Sequence, residues 1–169
     1  MTTDLDSLAL TVVVALEGRT LATAESLTGG LIGATITAIP GSSAIYRGGV
    51  IAYASDLKVS HLDVSSDVIA NGGAVQAEVA LQMARGAAIN LSADFGLAVT
   101  GVAGPSSQDG KAPGTVFVAC VERGPQGTFV EQQVEELHLN PEIEDIREAR
   151  FEVREETVAA ALELLLTFL

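Results

Sequence analysis

Four places in the 169-residue chain gather residue types that can do chemistry. The first is Thr23-Ala24-Glu25-Ser26-Leu27-Thr28-Gly29-Gly30, which joins a short β-branched stretch to an apolar helical one. In open α/β folds ligands collect at the carboxyl ends of strands, and a helix start offers N–H donors to anions. A serine there either caps the helix or acts as a nucleophile, with N–H groups near Thr28–Gly30 holding an oxyanion. The stretch is not a G-x-S-x-G elbow, because Ala24 stands where glycine is needed. No G-x-G-x-x-G occurs either, which leaves a dinucleotide fold without support. A nucleophilic serine needs a base, and the chain has only two histidines, His61 and His138. Lys58, one of two lysines, follows the strand that carries Tyr53. Burial or a positive neighbour can lower a lysine's pKa until it takes protons near neutrality. The alternatives are a solvated surface lysine and a half-buried core tyrosine.

The third place is Thr100-Gly101-Val102-Ala103-Gly104-Pro105, at the end of a continuous apolar run. A glycine-rich turn there can bring backbone N–H groups against a phosphate or carboxylate. The connection runs to Gly114, long for a plain loop. The fourth is Arg147, Arg150 and Arg154, spaced i, i+3, i+7 along one helical face. They form either a local positive patch for an anionic substrate or a set of surface pairs with Glu144 and its neighbours. The acidic residues fall in charge runs without histidine spacing, and Cys120 is alone, so no metal site is expected.

Positioning these groups requires alternating strands and helices. Apolar spacing predicts a first helix over 4–17, stopped at Gly18, and a strand over 20–24. A buried helix over 31–36 ends before Pro40-Gly41, and a second strand covers 46–54. Short helical turns follow over 56–62 and 66–71, then a longer helix over about 76–91. The run 95–100 reads as a strand buried on both faces. Segments 115–121 and 128–134 form an antiparallel hairpin, and a helix over 147–168 closes the chain with Phe151, Val158, Leu162 and Leu165 as its core stripe. The expected fold is α/β: a three-layer α/β/α sandwich with a mixed, mostly parallel sheet, in one domain over 1–169.

Composition narrows the partners. The chain has 9 Lys+Arg against 22 Asp+Glu, a formal charge of −13, with no basic run. Nucleic acid and anionic membrane surfaces both need a basic footprint, so neither is expected. Hydrophobic residues make up 48% and charged ones 18%, which excludes disorder. No leader or spanning stretch is legible, and a cytoplasmic location is expected.

Taken in order, these stretches resemble the C-terminal domain of the CinA family, competence-damage-inducible proteins whose stand-alone form is a nicotinamide-nucleotide amidase. The carriers are Thr23-Ala24-Glu25-Ser26 with Thr28-Gly29-Gly30, Pro40-Gly41-Ser42-Ser43, and Arg47-Gly48-Gly49-Val50 with Tyr53 and Lys58. Gly73-Ala74-Val75, Leu97 to Pro105, Gly114-Thr115-Val116, and Arg150 with Val153-Arg154 and Thr157-Val158 complete the set. The resemblance implies hydrolysis of the carboxamide of nicotinamide mononucleotide to nicotinic acid mononucleotide and ammonia, with no metal or organic cofactor. Carried over, Ser26 is the nucleophile and Lys58 and Tyr53 its acid–base partners. Thr28, Gly29, Gly30, Arg47, Thr100, Gly101, Ala103, Gly104, Arg150 and Arg154 become the substrate-binding set. A small-molecule nucleotide is the implied partner, and a homo-oligomer is a possibility for a small enzyme of this kind. Departures from the family pattern occur at Leu27, Ala54 to Leu57, Ser106 to Gly110, and Glu148-Ala149. They leave open an alternative, a nucleotide-binding module without catalysis.

Overall fold

The computed structural model describes residues 4–169. Five strands, β1 (Leu21–Glu25), β2 (Tyr46–Ile51), β3 (Phe95–Gly101), β4 (Thr115–Arg123) and β5 (Phe129–His138), form one sheet. Six helices accompany them: α1 (Leu5–Ala15), α2 (Leu31–Thr37), α3 (Ser55–Leu62), α4 (Ser66–Gly72), α5 (Ala77–Asn90) and α6 (Ile146–Leu166). The strand order is β2-β1-β3-β4-β5. β1 is parallel to β2 and β3, whereas β4 is antiparallel to β3 and β5, so β4 alone runs against the rest. The sheet is therefore mixed and mostly parallel in direction, as the α/β/α expectation has it.

Strand alternation explains the two helical layers, because successive side chains point to opposite faces. Leu21, Phe95, Leu97, Val99, Val116 and Val118 pack with α1, α2 and α6 in one core. The opposite face presents Ala22, Ala24, Ala98 and Ala119 to the alanine-rich α5 and its neighbours. Small residues there let α5 approach the sheet closely. A Cβ on Gly96 would collide with the Ala84 carbonyl, and one on Gly86 with the Leu62 carbonyl.

Two expectations are corrected. Phe151 is not in the core stripe of α6 but 47% exposed, because the buried positions of that helix begin only at Val153. β5 extends four residues beyond the expected end, to His138 opposite Thr115. The acidic Glu131, Glu135 and Glu136 obscure it as a strand in the sequence, yet an edge strand accepts charge readily.

Candidate functional site

The carboxyl ends of β1 and β3 open onto a cavity of about 290 Å³. Ser26 stands immediately after β1, its N–H donating to the Val99 carbonyl at 3.2 Å, so the β1–β3 ladder fixes its backbone. The Ala52 N–H donates to the Glu25 carbonyl at 2.9 Å, which ties the end of β1 to the chain leaving β2. That chain enters α3, whose second turn carries Lys58 beneath the same cavity. Ser26 and Lys58 are 7% and 1% exposed.

Lys58 Nζ donates to Ser26 Oγ at 3.0 Å, to the Ala52 carbonyl at 2.7 Å and to the Tyr53 carbonyl at 3.2 Å. Burial lowers its pKa to about 8, against an opposing pull from the Asp109 carboxylate. The two carbonyls can only accept. When the amine loses a proton, its N–H bonds stay on them and its lone pair falls toward Ser26 Oγ. The geometry thus orients a base at a hydroxyl.

Ser26 does not cap α2. The N-cap is Gly30, and the helix start is satisfied by the carboxylate of Glu25, which is 2% exposed. Its Oε2 accepts from Thr28 Oγ1 at 2.7 Å and from the Gly30 and Ile32 N–H groups at 3.0 Å, while Oε1 accepts from the Gly33 N–H at 2.9 Å. Gly29 and Gly30 hold φ of +61° and +98°, consecutive left-handed positions that explain the glycine pair. The Gly29 N–H donates to the Ser26 carbonyl. The donors of Gly29 and Gly30 expected for an oxyanion are therefore spent inside the turn. By contrast, the N–H groups of Leu27, Ala103 and Gly104 enter no hydrogen bond among the described residues, and all three residues line the cavity.

Replacing Glu25 by Ala would strand three backbone donors, that of Ile32 buried and those of Gly30 and Gly33 half-buried. The expected cost is about 3 kcal/mol or more, a fall of roughly 6–12 °C in Tm. A thermal melt within about 2 °C of wild type would remove Glu25 from this role. Nothing in the residue types alone reveals the role, since the partners are backbone groups. The available signal was a carboxylate inside a strand otherwise fit for burial.

The remaining candidates divide. Thr100, Gly101, Ala103 and Gly104 line the cavity with Arg150. Thr100 Oγ1 is committed to the Ala74 carbonyl at 2.8 Å. Arg150 donates to the Gly104 carbonyl at 2.6 Å and to the Tyr53 phenol oxygen at 3.0 Å. Tyr53, 60% exposed, joins the pair through its carbonyl, and its phenol meets Arg150 rather than Ser26 or Lys58. Arg154 sits behind the turn, donating to the Thr28 carbonyl at 2.8 Å. Arg47 lies at the amino end of β2 and donates to the Leu91 carbonyl at 3.1 Å, away from the cavity. Among the described residues no group of three or more His, Cys, Asp or Glu is placed to hold a metal ion, and no helix is long and apolar enough to cross a membrane.

Residues 5–169 match the CinA C-terminal domain. The chain belongs to the CinA C-terminal domain family. A putative competence-damage inducible protein of Halothermothrix orenii is 55% identical over 102 residues, 60% of this chain and 25% of that protein. A second of that description, from Halalkalibacterium halodurans, is 45% identical over 131 residues, 78% of this chain and 30% of its own length. The chain thus spans about a quarter to a third of these curated relatives. Among crystal structures, the competence/damage inducible protein CihA of Agrobacterium tumefaciens is 35% identical, with a TM-score of 0.85 over 97% of this chain and 94% of its own. The competence damage-inducible protein A of Klebsiella pneumoniae is 30% identical, with a TM-score of 0.85 over 96% and 95%. This CinA domain shares its α/β architecture with both.

Proposed function

We propose that this CinA domain is an amidohydrolase that converts nicotinamide mononucleotide to nicotinic acid mononucleotide and ammonia. The buried 3.0 Å contact between Lys58 Nζ and Ser26 Oγ carries the reading. The family resemblance supplies the substrate. Ser26 Oγ attacks the carboxamide carbon as the lone pair of neutral Lys58 takes its proton. The oxyanion faces the N–H groups of the Leu27 and Ala103–Gly104 segments, which the fold leaves free. Collapse breaks the C–N bond, and Lys58 returns the proton to the departing ammonia. The acyl ester on Ser26 is then hydrolysed by water, with Lys58 again the base. No step requires a metal or an organic cofactor.

Arg150 supplies positive charge at the mouth of the cavity in a protein of formal charge −13, so the nucleotide phosphate belongs there. Tyr53 orients that guanidinium through its phenol. Arg150→Ala is expected to raise KM about 10-fold or more with a smaller change in kcat, the pattern of binding shared by ground and transition states. Tyr53→Phe is expected to follow it weakly. Steady-state kinetics on the nucleotide and its riboside check both, since equal KM values for the two substrates would take the phosphate away from Arg150. Ammonia release from nicotinamide mononucleotide by the wild-type protein tests the function itself. Nucleotide binding without release would favour the non-catalytic module.

A further inference from the structure

In the loop between β3 and β4, the structure gives the stretch Ser106 to Gly110 a defined task. Gln108 and Lys111 exchange backbone hydrogen bonds at 3.1 and 2.8 Å around Asp109 and Gly110. Asp109 and Gly110 have φ of +51° and +73°, so the loop ends in a tight two-residue turn with both centres left-handed. The carboxylate at its tip reaches across the cavity wall, and Asp109 Oδ2 accepts from the Ala74 N–H at 2.8 Å. Ala74 is held from the other side, its carbonyl accepting from Thr100 Oγ1 at 2.8 Å. Gly73, at φ +77°, lets Asp109 approach, because a Cβ there would run into the Asp109 side chain. The lining between these anchors is Pro105, Ser106, Ser107 and Gln108, together with Ala74 and Val75, facing Ser26 and Lys58.

We propose that Asp109 is a positioning residue for the Ser26–Lys58 site, pinning the turn 108–111 onto Gly73-Ala74 and so fixing the wall against which the substrate is held. The proposal rests on the amidase reading for its kinetic consequences, while the tether itself is independent of it. Asp109 makes no hydrogen bond to Ser26 or Lys58 and takes no part in bond making. Its carboxylate reaches Lys58 only as a charge favouring the protonated amine, and both variants below remove that charge alike, so it does not distinguish them. Its effect lies in where the substrate rests, and it therefore acts on KM.

Two variants separate the tether from general folding. Asp109→Asn keeps an acceptor for the Ala74 N–H and suits a left-handed position. Asp109→Gly also suits that backbone but removes the acceptor. Asp109→Gly is expected to accelerate hydrogen exchange at the Ala74 amide at least ~10-fold, with a comparable rise in KM for nicotinamide mononucleotide and kcat within about two-fold. Asp109→Asn is expected to restore both to near wild type. Wild-type exchange at Ala74 together with wild-type KM in Asp109→Gly would overturn the proposal, as would equal losses in the two variants. A wild-type protein that releases no ammonia sinks the amidase reading, and exchange at Ala74 then decides the tether alone.

Discussion

Ser26→Ala is expected to lose turnover by at least ~10³-fold while keeping nucleotide affinity within a few-fold. The structure removes the main competing explanation for this serine. A capping serine bonds a backbone N–H, and its loss costs ~1 kcal/mol with chemistry intact. Here the Glu25 carboxylate satisfies the start of α2, and the hydrogen-bond partner of Ser26 Oγ is Lys58 Nζ. The side chain is small and faces the cavity, so its truncation should leave the fold standing. Single-turnover assays with nicotinamide mononucleotide, paired with calorimetric titration of the product nucleotide, separate chemistry from binding. A folded variant releasing ammonia at a rate near wild type would refute the nucleophile assignment.

The second large effect is expected at Lys58. Arginine keeps the charge but cannot lose a proton in a protein, so Lys58→Arg should be nearly as inactive as Lys58→Ala. A melt of each variant accompanies the kinetics, because the larger guanidinium must fit a buried site. With the wild-type amine at about pH 8, kcat/KM should rise close to ten-fold per pH unit below that value and level above it. The midpoint belongs to the coupled Ser26–Lys58 pair. Stability carries the same titration with a definite sign. The folded pKa lies below the unfolded one, so the unfolded chain binds more protons between about pH 8 and 10.5, and folding gains stability as pH rises through that window. Relative to Lys58→Met, wild type should gain up to about 3 kcal/mol between pH 7 and 10.5 in chemical denaturation. Substantial activity in a well-folded Lys58→Arg protein would exclude Lys58 as the base.

Much of the scaffold was readable from periodicity. The continuous apolar run at Phe95–Thr100 has the length and character of a strand covered on both sides, and the spacing of Val79, Met83 and Ala87 marks α5. Residue type marked Ser26 and Lys58 only as candidates beside a helix cap and a surface lysine, and the family resemblance gave them their roles; the structure sets the two side chains 3.0 Å apart. What escaped was whatever depends on backbone partners or distant contacts. Gly29 and Gly30 look like a cradle for an anion, yet their N–H groups serve Glu25 and the turn itself. The Tyr53 phenol meets an arginine 97 residues further on. Arg47 is on the strand that leads to Lys58 but at its amino end, and the parallel pairing of Tyr46 with Leu21 and of Ile51 with Glu25 places that end away from the cavity.

The carboxylate folded into the start of α2 also decides what the site ignores. Helix openings with a glycine turn attract whatever small anion is abundant, and inside a cell that is inorganic phosphate. In this domain the seat is filled by the chain's own Glu25, placed one residue before Ser26. Background phosphate or sulfate therefore finds the start of α2 already filled. On the amidase reading proposed above, selection among phosphorylated compounds then falls to Arg150 at the cavity mouth and not to the turn that follows β1.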